Sequence, residues 1–351
     1  MSDPVHPYQS ANLNVLRAIA VLFVYIFHLS ITIGTRLPDA VGQFGVLLFF
    51  VHTSLVLMMT LERIEYSGQP FFSTFYLQRV FRIYPLSMVC VGLIVAWHLP
   101  RAPWWPWSEV GVSTIVANLL LYTNLVYEPV VTSVLWSLPY EVQMYAVLPF
   151  LYLAGKRYGL KGLMGLWLVA GVGALIQPLI SERLAIAQFV PCFLAGVASY
   201  FLGRRARRFP SVGLVLVILL AGVPLMYESV LGVSAKWLAC LLVGFALPYI
   251  QELQLTWLRT AVAWIARYSY GIYLTHLYAL WIAFVVLNDY PLGVRWLVLL
   301  VLSAGLPVVL FHLIEAPMMA LGVRLAGQLK HRRVSIPIAL RVTSPEDASP
   351  R

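Results

Sequence analysis

The sequence encodes an all-α polytopic membrane helix bundle of about ten transmembrane helices with both termini cytoplasmic, on three grounds: composition, the spacing of apolar runs, and the placement of positive charge. Of 351 residues, 61% are hydrophobic and only 11% charged, too few charges to cover the surface of a water-soluble chain of this length. The apolar residues fall in many separate runs, which excludes a single leader peptide on a secreted domain, a disordered chain and a disulfide scaffold. Cys90, Cys192 and Cys240 all lie inside apolar runs and read as small core residues, so no disulfide is expected. Lys and Arg number 24 against 14 Asp and Glu, a net charge of +10. In a soluble protein that balance would suggest nucleic acid; here the basic residues sit in short loops, where their role is topological and no nucleic-acid partner is expected.

A helix needs about 20 apolar residues to cross the hydrocarbon core, with about 17 to 25 as the working range. By that length the crossings run, in order, over 13–33 (LRAIAVLFVYIFHL), 41–61 (opening FGVLLFFV) and 83–99, which follows the basic stretch FYLQRVFRIYPL. The fourth, 136–154, is announced by Trp136 at the interface and Pro139 in the first helical turn. The rest run over 162–180, 184–202, 211–227, 235–250, 264–287 and 295–314. The stretch 111–127 (GVSTIVANLLLYTNLVY) is apolar enough to enter a membrane but carries Asn118 and Asn124. Charge decides its place. If it does not cross, the loops holding Arg63, Arg79 and Arg82, Lys156 to Lys161, and Arg204 to Arg208 are cytoplasmic, and only Arg36, Arg101, Arg183, Lys236 and Arg295 lie outside. If it crosses, the strongly basic loops move outside, against the positive-inside rule. It is therefore expected as a re-entrant or interfacial element on the outer face, beside Pro100–Trp107 with its Trp104, Trp105 and Trp107. Residues 1–330 form one membrane-embedded domain. The tail 331–351, with three prolines and mixed charge, is expected to be disordered in the cytoplasm.

Ionisable groups inside spans are expensive and so are functional candidates: Arg17, His28, His52, Glu141, His276, His312 and Glu315. Arg17 and His28 are eleven residues apart, three turns plus about 20° at 100° per residue, and so share one face, about 16 Å apart along the axis. For Arg17 the bland alternative is a snorkelling flank residue, for His28 a hydrogen-bonded packing group; an imidazole at that depth is also suited to general-base work near neutral pH. Arg79 and Arg82, three apart, present two guanidiniums on one side of a helix, a phosphate clamp or simple positive-inside anchors. Glu141, one turn into its span, is placed at the outer end at a depth similar to His28, as its partner or as a charge on the helix dipole. No HxxxH or HExxH spacing occurs, so no metal is expected. There is no Walker loop, no GxGxxG and no GxSxG elbow.

Taken together, Arg17-x10-His28, FGVLLFFV, Arg79-Val-Phe-Arg82 with Tyr84-Pro85, Trp136-Ser-Leu with Glu141 and Tyr145, Tyr273-Leu-x-His276 and Glu315-Ala-Pro317 resemble the acyltransferase-3 family of integral membrane O-acyltransferases, by their order and spacing over residues 13 to 317. The resemblance implies a multi-pass enzyme of the bacterial cytoplasmic membrane. It would move an acyl group, commonly acetyl, from cytoplasmic acyl-CoA to a hydroxyl of an extracytoplasmic carbohydrate or an exported glycosylated small molecule. Its partners are then acyl-CoA as donor substrate, that acceptor and the lipid bilayer, with no permanently bound cofactor. It makes His28 the catalytic histidine with Arg17 and Glu141, Arg79 and Arg82 the donor-binding pair, and His276, Ser137, Trp136 and Glu315 supporting residues. This chain departs from the family at His52-Thr53-Ser54, where many relatives have Ser-Gly, which calls the close helix approach of that glycine into question. It also has Ala316 where a basic residue is frequent, and the hydrolase-like outer domain of some relatives is not expected.

On this reading acyl-CoA sets its phosphates on Arg79 and Arg82 and passes its acyl arm by Arg17 to His28. His28, oriented by Glu141, deprotonates the acceptor or takes the acyl group itself, with His276 or Ser137 as oxyanion donors. The competing class is a secondary transporter or flippase for a sugar-containing substrate, which would call for repeats in the two halves of the chain; none is visible. A non-catalytic scaffold leaves Arg17, His28 and Glu141 without a reason.

Overall fold

A computed structural model describes residues 10–97, 110–203, 209–227 and 234–334. The tryptophans at 104, 105 and 107 expected at the interface, the basic stretch 204–208 and the tail beyond 334 lie outside the described residues. Those described are helical apart from turns and one isolated bridge between Phe209 and Ile250. Three long helices open the chain: α1 (Ala11–Thr32), α2 (Asp39–Tyr66) and α3 (Phe71–Trp97). After α4 (Val112–Leu119) and the single turn α5 (Thr123–Val126) comes α6 (Leu138–Ile180), then α7 (Val190–Leu202), α8 (Val212–Gly222) and α9 (Ser234–Ala246). The chain closes with α10 (Thr256–Trp281), α11 (Leu292–Leu310) and α12 (Ala316–Val334). The ends of α10 and α11 continue through π-helical turns, Ile282–Val286 and Phe311–Glu315.

Among the described residues, seven helical segments are long and apolar enough to cross a membrane. One of them, Ser133–Ile180, is broken at Gly159, whose φ of 63° and ψ of −166° end one helix and start the next. Two shorter apolar helices, Val212–Met226 and Ala235–Tyr249, lie between the long ones. The stretch 111–127 holds nothing longer than eight helical residues, about 12 Å at 1.5 Å per residue, less than half a hydrocarbon core. Its Asn118 explains itself: the side-chain amide donates to the carbonyls of Thr114 and Pro129 and its oxygen accepts from the Val131 amide. A buried polar residue in an apolar run thus fastens a folded-back loop.

α2 is the most buried of the long helices, packed between α1, α6, α7 and α9. Leu47, Leu48, Phe50, Val51, Leu57, Met58 and Leu61 form the centre of the core. On the periphery, apolar side chains face outward, among them Leu168 and Val169 of α6, Leu216 and Leu220 of α8 and Leu297 and Leu300 of α11. Such a belt suits lipid, where every backbone group must be satisfied within its own helix. At one end of the bundle Glu65 of α2 accepts from Tyr152 (2.7 Å) and Lys156 (2.6 Å) of α6; at the other α2 begins at Asp39. These are called the Glu65 end and the Asp39 end. The start of α1 is fastened at the Glu65 end, where Ser10 caps the helix and the Asn12 side chain exchanges three hydrogen bonds with residues 250–253.

Candidate active site

Inside the bundle, polar side chains gather at two depths along α1. The deeper group surrounds Arg17. Tyr76 of α3 donates to the Ala146 carbonyl of α6 at 2.9 Å, and the Phe71 and Phe72 rings lie 5.9 and 5.3 Å from those of Tyr152 and Phe150. The two helices are thus antiparallel, and continuing the register sets Arg79 and Arg82 opposite residues 140–143. α2 and α6 run parallel through the Glu65 contacts, so His52, thirteen residues before Glu65, stands level with the same stretch of α6. Arg17, His52, Arg79, Arg82 and Glu141 therefore share one level, and the charges of Arg17, Arg79 and Arg82 all act on Glu141.

Partners within this group are unevenly shared. Arg82 forms an ion pair with Glu315, lies 5.4 Å from the Tyr270 ring centroid, and reaches Met319 Sδ at 3.5 Å. The π turn Phe311–Glu315 is what brings Glu315 inward, and π turns are frequent at functional sites. Glu141 accepts from Tyr145 Oη, one turn along α6. Arg17 and Arg79 form no hydrogen bond or ion pair among the described residues, and the buried Nε of each has no partner; nor has Glu315 Oε2. Three guanidiniums face two carboxylates, and Arg17, Arg79, Arg82 and Glu141 each stay half-buried, so they line a cleft rather than a solid core. A cleft with excess positive charge and orphaned N–H donors is chemically suited to an anion.

The second group lies toward the Asp39 end, where Phe27 packs on Gly42. Here α1 meets α10, and His28 Nδ1 stands 3.2 Å from His276 Nε2. His276 Nδ1 faces the carbonyls of Ile272 (3.1 Å) and Tyr273 (2.9 Å), and His28 Nδ1 also faces the Val24 carbonyl at 2.9 Å. Carbonyl oxygens only accept. With both rings neutral, His276 therefore carries its hydrogen on Nδ1 and offers the Nε2 lone pair, and His28 carries its hydrogen on Nδ1, shared between Val24 and His276. His28 Nε2 is left with a lone pair and no protein partner among the described residues, which is the state a general base or nucleophile requires.

Several sequence expectations change. Glu141 does not meet His28: its partners are Tyr145 and the arginine group, and the side chain beside His28 is that of His276. The depth was misjudged because α6 does not start at the surface. The 3₁₀ turn Ser133–Ser137, with Val134, Leu135 and Ser137 buried, carries the chain into the bundle before the helix begins, and His52, level with Glu141, is thirteen residues from the start of α2, about 20 Å at 1.5 Å per residue. Ser137 lies against Tyr273 at 2.9 Å; since Tyr273 gives its one hydrogen to the Val134 carbonyl, Ser137 is the donor in that pair. Neither Ser137 nor His276 keeps a free hydrogen for an oxyanion. Trp136 packs on Tyr140 and Phe189, and its ring is not against either histidine of the pair. His312 approaches Tyr268 at 3.4 Å and belongs to neither group. Sequence reasoning missed the Arg82–Glu315 pair, the nearness of His52 to Arg17, and Tyr270 under Arg82. All three depend on which helices are neighbours, and only the Tyr145 spacing, four after Glu141, was visible locally.

Comparison with known proteins finds no match among curated proteins and none among solved structures. One family model, described as an acyltransferase domain, matches residues 10–312. The match starts at the residue that caps α1 and runs into the π turn after α11, so it takes in Arg17, His28, Arg79, Arg82, Glu141 and His276. That range, the helical architecture and the two polar groups inside it agree: the chain belongs to the acyltransferase-3 family and is a multi-pass membrane acyltransferase.

Proposed function

We propose that the protein transfers an acyl group, acetyl in the first place, from cytoplasmic acyl-CoA to a hydroxyl of an extracytoplasmic carbohydrate or exported glycosylated small molecule, in the cytoplasmic membrane of a bacterium. The observation that carries this is the pairing on one helix of an anion-seeking cleft at Arg17 with a lone-pair imidazole at His28, about 16 Å further along α1. The Glu65 end is cytoplasmic, as the positive-inside rule favours with Arg63, Lys156, Arg157 and Lys161 there. The seven long segments, the break at Gly159 and the two shorter apolar helices support ten crossings with both termini cytoplasmic. Residues 1–330 act as one membrane domain followed by a cytoplasmic tail.

The reaction follows from these positions. The phosphates of acyl-CoA take up the unpaired donors of Arg79 and Arg17, and the thioester reaches His28. Nε2 of His28 removes the proton of the acceptor hydroxyl as its oxygen attacks the thioester carbonyl. The new C–O bond forms, the C–S bond breaks, and the proton on Nε2 passes to the departing thiolate of coenzyme A. Through this cycle Nδ1–H stays held by Val24 and His276, which stabilises the imidazolium. Such a base contributes about 10²–10⁴-fold. The test measures acetyl-CoA binding and release of free coenzyme A by purified protein. His28→Ala should fold and bind acetyl-CoA while turnover falls by about 10²-fold or more; normal turnover in folded His28→Ala removes the assignment. Arg79→Gln, which strands no carboxylate, should weaken acetyl-CoA binding about tenfold, on the scale of one charge-assisted contact; unchanged affinity makes Arg79 an anchor only.

A further inference from the structure

A cavity of about 590 Å³ opens at the Asp39 end, walled by the segment after α4, the start of α6 and residues 177–188. One side-chain layer separates it from the histidine pair. Trp136 is in its wall, the neighbouring Ser137 bonds Tyr273, and the Tyr273 ring lies 6.3 Å from that of His276. Trp136 and Tyr140, with ring centroids 6.1 Å apart at 68°, offer two aromatic faces at an angle.

Two carboxylates, Glu128 and Glu182, stand in the same wall, and no lysine or arginine does. Neither is in an ion pair among the described residues. Hydroxyls of Thr114 and Ser113 hold the Glu128 carboxyl below its ordinary range, so it is ionised at neutral pH. Arg183, next in the chain to Glu182, is set over the Tyr127 ring at 5.1 Å and is not in the lining. Asn124, also in the wall, accepts from Gln143 at 2.8 Å, but its buried Nδ2 has no protein partner, leaving a donor for a ligand oxygen. Ionised carboxylates beside aromatic faces attract a cation and repel an anion. Carboxylates can also accept from sugar hydroxyls, but an uncharged sugar would leave the negative charge of this wall, which holds no lysine or arginine, without a counter-charge.

We propose that this cavity receives the acceptor, and that the acceptor is a polyhydroxylated molecule bearing a protonated amine, its ammonium between Glu128 and Glu182 and its ring on Trp136 and Tyr140. The word acceptor rests on the acyl-transfer reading above; the amine preference does not. The test is donor-free calorimetric titration of the full-length purified protein with a glucosamine tetramer and with the N-acetylglucosamine tetramer, the same backbone without the charges. The glucosamine form should bind at least tenfold more tightly at low salt, with the margin shrinking as salt rises. Glu182→Gln, which disturbs no hydrogen bond in the wall, should cut the margin to threefold or less, and Trp136→Leu should weaken both ligands. Equal affinity for the two tetramers overturns the proposal, as does a margin that survives both Glu182→Gln and Glu128→Gln. An amine preference in a protein that never transfers acyl groups would sink the catalytic reading alone; acyl transfer without that preference would sink this one alone.

Discussion

One hydrogen, on His28 Nδ1, decides what the ring can do. Because Val24 and His276 both accept there, the free lone pair is fixed on Nε2, and in the proposed mechanism the positive charge developing on the ring has an acceptor waiting. Replacing His276 with alanine leaves only the Val24 carbonyl, so kcat should fall by on the order of 10²-fold with KM for acyl-CoA nearly unchanged. His276→Gln, whose side-chain oxygen can accept from Nδ1, should recover part of that loss and return the pH profile of kcat toward wild type. Equal losses in both variants, with KM rising in step, would mean that His276 only packs helices. At this scale the sequence was legible where one helix suffices: Arg17 and His28 share a face by spacing alone. It was not legible where a partner comes from another helix. His276 is 248 residues from His28, and nothing along the chain signals that α1 and α10 touch. Glu141 was read at the wrong depth because counting residues into a helix gives depth only when the helix starts at the surface.

Between helices, close approach is arranged by small residues. His52-Thr53-Ser54 contains no glycine, yet α2 still meets a neighbour closely, because the partner helix supplies the space. A side chain on Gly196 of α7 would run into Ser54 Oγ and the Val51 carbonyl of α2. Ser54 gives its own hydrogen to Phe50 and Val51, so it adds no unpaired group to the seam, as small hydroxyl residues commonly allow in membranes. Gly196→Ala should therefore lower stability by about 1–3 kcal/mol through overpacking. Gly159→Ala should cost about as much for a different reason. Nothing lies within 4 Å of its added carbon, but the backbone there occupies a region reserved for glycine, at about 1–3 kcal/mol for any other residue. Gly165→Ala, inside a helix with open space around it, is the control and should hold or gain slightly. Thermal unfolding in detergent ranks the three; a Gly196→Ala melt equal to that of Gly165→Ala would show that the α2–α7 seam can yield.

For the molecule as a whole, the apolar runs fixed where helices exist better than where they end. The crossing read over 41–61 belongs to a helix spanning Asp39–Tyr66, and the one over 264–287 to a helix that begins at Thr256. A hydropathy rule sees only the part of a helix immersed in lipid, whereas backbone hydrogen bonding continues into water until a cap or turn stops it. The function proposed here adds a stricter demand: a donor from one compartment and an acceptor from the other must meet on α1, so the two ends of the bundle have to face opposite sides. That is a question of parity. Five crossings separate the loop at Lys161 from the loop at Asp289, counting both shorter apolar helices, and an odd number puts the two loops on opposite faces. The native cysteines Cys90, Cys192 and Cys240 are all buried, so a membrane-impermeant maleimide reports only on introduced ones at these two exposed positions. Asp289→Cys should be labelled in right-side-out vesicles, and Lys161→Cys only in inverted ones. Labelling of both from the same face would mean that Val212–Met226 or Ala235–Tyr249 does not span, and the exchanged pattern would turn the molecule over and place the arginine cleft on the wrong side for a cytoplasmic donor.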